Sequence, residues 1–248
     1  MIKFLTPFFF FLSLGITAQN IKDSCISVPV FSFSYGHQFP FGDLHNRFGS
    51  NNNVGFSGGY KLKSNWLFEF STDFIFGTNV KDTTIVDHLQ NNQNWIINQL
   101  GEEGIILIQQ RGQVFSFKAG KVFDIIGPNQ NSGLIFKLGV GWLRHKIRVD
   151  NQYNRIPQLS QENLVYYDRL TSGLQLSQFI GYQHMSNNRL TNFYFGFDFL
   201  QGFTKGRRDY QIDLMGPANE KRIDLLWGIK FGWIVPVFRQ APNDFYLN

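Results

Sequence analysis

The chain has 248 residues, 43% of them hydrophobic, and aromatics reach 17% with 28 phenylalanines. That length and hydrophobic share suffice for a single domain with a buried core, within the size range of one β domain. The formal net charge of +5 comes without any run of Lys or Arg interleaved with aromatics, which argues against nucleic acid as a partner. Cys25 is the only cysteine, so an intrachain disulfide and a cysteine-built metal site are both excluded.

The first twenty residues, MIKFLTPFFFFLSLGITAQN, begin with the basic Lys3. An apolar run from Phe4 to Leu14 follows, and then the small pair Thr17-Ala18. This layout predicts a secretory signal peptide over residues 1–18, leaving 19–248 as one exported domain. An apolar run of about 11 to 13 residues is short of the roughly 20 that a spanning helix needs. Cys25 follows Lys22, Asp23 and Ser24, a context that does not suit lipidation.

Eight segments then alternate with period two. The first, 28–38, sets Phe31, Phe33 and Tyr35 against Ser32, Ser34 and Gly36. The second, 54–63, sets Phe56, Tyr60 and Leu62 against Ser57, Gly59, Lys61 and Lys63. The third, 66–76, opposes Trp66, Phe68, Phe70, Phe74 and Phe76 to Glu69, Ser71 and Asp73. The fourth holds Phe115 and Phe117 against Ser116 and Lys118, beginning as early as Ile105. The fifth sets Leu134 to Trp142 against Lys137, Gly139 and Gly141. The sixth, 174–183, is the weakest pattern. The seventh, NFYFGFDF, carries Phe193, Phe195, Phe197 and Phe199 on one face and Gly196 and Asp198 on the other. The eighth, 223–235, opposes Trp227, Phe231 and Trp233 to Asp224 and Lys230.

The connections sort these strands into an architecture. Segments two and three are joined by KSNW, four and five by DIIGPNQNSG, and six and seven by SNNRL. The remaining links, 39–53, 77–113, 148–173 and 201–222, are long and total about 100 residues, more than closure needs and of a length that is commonly functional. Strict alternation of short and long links over an even number of strands predicts an antiparallel up-and-down transmembrane β-barrel of the bacterial outer-membrane type, with both termini in the periplasm. Its outer face would put Phe68, Phe70, Phe74, Phe193, Phe195, Phe197, Phe199, Trp227, Phe231 and Trp233 in lipid. Its lumen would hold four acids and four bases: Glu69, Asp73, Asp198 and Asp224 with Lys61, Lys118, Lys137 and Lys230. An unpaired ion in a narrow lumen is costly, so these should pair. In the hairpin KLKSNWLFE, placing inward Lys63 opposite inward Leu67 gives a turn of Ser64, Asn65 and Trp66 and predicts a Lys61–Glu69 salt bridge. An eight-stranded interior is filled by side chains, so no open pore is expected.

The stretches FPFGDLHNRFG, GGYKLKSNWLFE, YYDRLTSGL and FTKGRRDY, spread over most of the chain, resemble small outer-membrane barrels of Gram-negative bacteria, in particular an uncharacterised Bacteroidota-type family. The resemblance implies the barrel and its location and brings no activity or catalytic residue.

Three patterns bear on chemistry. Gly55-Phe56-Ser57-Gly58-Gly59 matches the spacing of a nucleophile elbow, but that motif needs a strand-turn-helix context, whereas here it falls inside a strand. His184-Met185-Ser186 resembles the H-x-S pair of lipid A deacylase barrels but sits at the short-turn end; His145 with Asp150 is the alternative at the other end. No His spacing suits a metal, and neither metal nor cofactor is expected. In the second long link, Ile85, Leu89, Trp95, Ile96 and Leu100 suggest short helical turns after Asp82, packed on the loop itself or exposed as an anchor around Trp95. Asp43, Arg47, Arg207, Arg208 and Asp209 are placed to pair among loops or to meet lipopolysaccharide phosphates. The leading expectation is a non-catalytic structural or accessory subunit that docks outer-membrane or periplasmic proteins; the alternatives are a lipid A-modifying enzyme and a narrow small-solute channel.

Overall fold

The computed structural model describes residues 24–187 and 191–238, so the expected signal peptide at 1–18 lies outside the described residues. Eight strands close into one antiparallel cylinder: β1 (Val28–Gly42), β2 (Asn51–Lys61), β3 (Trp66–Gly77), β4 (Ile106–Phe123), β5 (Gly133–Asn151), β6 (Thr171–Met185), β7 (Asn192–Gly206) and β10 (Lys221–Pro236). Each pairs with its sequence neighbour, and β1 pairs with β10 to complete the ring. Two short strands, β8 (Arg208–Gln211) and β9 (Gly216–Ala218), form a separate hairpin within the last long link. Closure leaves no barrel strand with an unpaired edge, which is the condition for a sheet to sit where water cannot satisfy its backbone.

The alternation read from sequence appears as two faces. Phe68, Phe70, Phe74, Phe195, Phe197, Phe199, Trp227, Phe231 and Trp233 project outward and are exposed. Phe193 also faces outward, half-buried against His184 and Phe231. Rings meet across the closing seam, where Phe39 of β1 lies opposite Trp227 of β10 with centroids 5.3 Å apart.

The strands run further than their clearest alternation indicates. β4 has 18 residues and β5 has 19, against the roughly 9 to 11 that cross a bilayer when tilted. The long links are correspondingly shorter than expected, spanning 43–50, 78–105, 152–170 and 207–220. The first contains helix α1 (Asp43–Arg47), and the second contains a 3-10 turn over Thr84–Leu89, where helical turns were expected. All long links emerge at one end of the cylinder. The first residue of β1 and the last of β10 lie at the other, beside the short turns.

The turn after β2 differs from the sequence expectation. Lys61 pairs with Leu67, and the three turn residues are Lys63, Ser64 and Asn65, one position earlier than predicted. Asn65 adopts φ 62°, a left-handed conformation that asparagine tolerates, and this frees Trp66 to enter the strand. The pairing is shifted by two residues, an even number, so the faces of the residues that remain in β2 and β3 survive although the cross-strand partners change. Lys63, expected inward, lies in the turn and is exposed.

Two apolar clusters fill the ends of the cylinder. At the short-turn end Val28, Val30, Leu67, Val122, Ile135, Phe179, Tyr194 and Ile234 pack together. At the loop end, inward residues Ile75, Val114, Leu143, Ile147, Leu200 and Leu226 pack against Leu44, Phe48, Ile85, Val86, Ile96, Ile156, Leu159 and Tyr167 from the external links. The loops thus form a plug inside the barrel mouth. Glycines make room for bulky neighbours: a Cβ on Gly232 would stand 2.3 Å from the Tyr194 ring. Gly232→Ala should therefore cost about 1–3 kcal/mol through overpacking, measured as a lowered urea midpoint for the vesicle-inserted protein.

Candidate functional site

Between the two apolar clusters lies a layer of ions. The structure places all eight sequence-derived lumen charges on the inner face and buries them. Lys137 Nζ donates to Glu69 Oε1 and Oε2 at 2.9 and 3.0 Å, and its ammonium sits 4.6 Å from the Tyr194 ring centroid. The lysine reaches Glu69 from β5 past β4, where Gly120 has no side chain to block it; a Cβ there would stand 2.7 Å from Lys137 Cγ. Lys118 stands opposite Glu69 in the β3–β4 register. Lys230 Nζ bridges Asp73 Oδ1 at 3.0 Å and Asp198 Oδ2 at 3.1 Å. Around these ions, Ser32 shares a hydrogen bond with Ser57 at 2.7 Å, and Gln175 donates to Ser116 at 2.6 Å.

The predicted Lys61–Glu69 bridge does not form. With the register displaced by two, Glu69 faces Gly59, and Lys61 instead donates to Asn131 Oδ1 at 2.8 Å and to the Ile26 carbonyl at 3.4 Å. Lys61 therefore anchors the N-terminal segment and the β4–β5 turn. It is a buried ammonium satisfied by neutral oxygens.

Nearer the loops, Asp224 accepts from His145 Nε2 at 2.8 Å and from Thr204 Oγ1, while Arg222 Nε lies 3.4 Å from its other oxygen. Of these partners His145 is a residue singled out from sequence, whereas Arg222 lies one position before the clearest alternation of β10 and carries no signal of its own. The parity of inward Lys137, Gly139 and Gly141 continued along β5 puts His145 inward, and that of Asp224 continued back along β10 does the same for Arg222. The expected partner of His145, Asp150, instead lies on the outward face and pairs with Arg148 at 3.3 Å.

The other motif residues sit in structural roles. Ser57 spends its hydroxyl on Ser32, and the His184 ring stacks on Phe193 at 5.1 Å on the outer surface, with Ser186 N donating to Asn192 Oδ1. Among the described residues no group of three or more His, Cys, Asp or Glu side chains is placed to hold a metal.

Arginines of the external links are spent on loop packing. Arg47 donates to Thr171 Oγ1 at 2.9 Å and to the Arg169 carbonyl at 3.4 Å. Burial lowers its pKa to about 10, and neighbouring Arg222 and Arg169 act in the same direction. Arg169 pairs with Asp82 and Asp213, tying the second link to the last. Arg208 grips both oxygens of Asp168 at 2.8 and 2.6 Å, which raises the guanidinium above its ordinary range. Arg207 donates to Ser172 Oγ at 3.0 Å and lies over the Trp142 ring. Of the apolar residues in the second link, Ile85 and Ile96 enter the plug, whereas Trp95 and Leu100 remain exposed.

Two outcomes follow from this geometry. Glu69→Gln leaves Lys137 without its only carboxylate among the described residues and should cost about 3–5 kcal/mol of unfolding free energy, whereas Asp73→Asn should cost less because Lys230 keeps Asp198. Both are read from equilibrium unfolding in lipid vesicles. Asp168→Asn should weaken the Arg208 lock by about 1.5–3 kcal/mol, seen as faster cleavage of the external loops by added protease with a smaller change in barrel unfolding.

No family model matches the chain, and no curated protein matches it. Solved structures similar to it include Neisserial surface protein A, at 12% identity and TM-score 0.44 over 84% of this chain and 97% of that one. Ail, the attachment invasion locus protein of Yersinia pestis, was solved with the heparin analogue sucrose octasulfate and gives 13% identity and TM-score 0.39 over 84% and 98%. The outer membrane protein OprG of Pseudomonas aeruginosa gives 15% identity and TM-score 0.37 over 88% and 99%.

Proposed function

We propose that the protein is an integral outer-membrane barrel of a Gram-negative envelope, exported by the signal peptide at 1–18, with its termini in the periplasm. Its ring-bearing outer face meets lipid and lipopolysaccharide. The barrel conducts no solute, because the lumen is filled by the ionic layer and stopped at both ends by apolar side chains. Its role is non-catalytic, as a structural or accessory subunit that docks other envelope proteins through its loops and outer face.

One observation carries the docking reading. The loops bury much of their apolar content in the barrel mouth, yet Trp95, Leu100, Tyr153 and Met215 remain 46, 60, 76 and 85% exposed. Large apolar and aromatic side chains of this kind are the residue types that anchor protein interfaces. Extraction in mild detergent should recover a stoichiometric envelope partner, and Trp95→Ala with Leu100→Ser should release it while the barrel stays folded. Recovery of a lone monomer, or of conductance steps in planar bilayers, would contradict this reading.

A further inference from the structure

On the β3–β5 side of the barrel the outward surface changes character within two residues. Along β5 the outward series runs Leu138, Val140, Trp142 and then Arg144, Lys146 and Arg148. Along β4, read in the same direction, Phe117 and Phe115 give way to Gln113 and Arg111. The register sets these changes side by side: Phe74, Gln113 and Arg144 form one row, and Phe76, Arg111 and Lys146 the next. An outward-opening groove of about 370 Å³ lies here, lined by Phe74, Phe76, Arg111, Gln113, Arg144 and Lys146.

The bases in this groove are under-neutralised. Arg148 uses Asp150. Lys146 lies 3.7 Å from Asp168, a carboxylate already held by Arg208. Arg111 donates to the neutral oxygens of Gln109 and Gln110. Arg144 is exposed and has no ion pair among the described residues. A cluster of cations directly outside a tryptophan and a ring belt is the arrangement that attracts anionic head groups, while aromatic side chains beside it suit an acyl chain.

We infer that this groove binds a phosphate-bearing membrane lipid at the loop end of the barrel, the phosphate held by Arg111, Arg144 and Lys146 and an acyl chain lying on Phe74 and Phe76. The site needs both halves. Arginine supplies charge-assisted hydrogen bonds to phosphate oxygens, and the rings select a lipid over a free anion. The inference rests on the membrane reading given above.

The test uses the full chain in phosphatidylcholine nanodiscs, with native mass spectrometry reading the retention of added diphosphoryl lipid A against its dephosphorylated form. Three charged contacts should favour the phosphorylated lipid by roughly tenfold or more. The triple substitution Arg111→Gln, Arg144→Gln and Lys146→Gln should abolish that preference, with the strand content of the barrel unchanged by circular dichroism. Millimolar inorganic phosphate should not compete. Equal retention of the two lipids, a preference that persists in the triple variant, or displacement by inorganic phosphate at the same concentration as the lipid would overturn the inference. A chain that stayed soluble without detergent and did not enter nanodiscs would overturn the membrane reading first, whereas an inserted barrel without lipid preference would overturn the lipid site alone.

Discussion

The ladder between β1 and β10 is the constraint on which the remaining structure depends. Without it β1 and β10 would each present a row of unpaired amides and carbonyls, an open edge ready to pair with another chain. With it, the outward rings form one uninterrupted apolar face and every inward group is confined to a cylinder too narrow for bulk water. Closure also dictates the order of the chain in space: sequential antiparallel neighbours, with turns and loops sorted to opposite ends.

Inside that cylinder, electrostatics follows from packing. The ammonium groups of Lys137 and Lys230 lie between an apolar cluster at the short turns and an apolar plug at the mouth. Removed from water on both sides, they need carboxylates within contact distance, and Glu69, Asp73 and Asp198 supply them. Glycines at 55, 120 and 139 stand where long side chains cross, each beside an ionic residue of the layer: Asp73, Lys137 and Lys118 respectively. The Lys137–Glu69 and Lys230–Asp73 bridges join nonadjacent strands across the lumen and hold together faces that the backbone ladder links only around the circumference.

The architecture was legible because period two is a strong signal wherever one face is apolar and the other polar. All eight barrel strands and the inward placement of all eight charges follow from parity alone. Partner choice was not legible. It depends on register, and register depends on a turn conformation at Asn65 that a propensity argument places no better than to within a residue or so. An error of two residues leaves Glu69 inward yet exchanges Lys61 for Lys137. The plug was obscured for another reason. Phe48, Ile85 and Leu159 come from links without alternation, and nothing in an irregular stretch tells which apolar side chains turn back into the mouth. His145 stood out in the sequence but with Asp150, because partner choice across the lumen, here Asp224, has no signal in local spacing.

The loop plug also bears on how such a surface can evolve. Connecting segments ordinarily tolerate substitution because little of the packing depends on them. Here Leu44, Phe48, Ile85, Val86, Ile96, Ile156 and Leu159 belong to the hydrophobic interior although they reside in those segments. Substitution is therefore mild only at the residues between them, and a change at Phe48 or Leu159 would act as a core mutation although it lies in a loop.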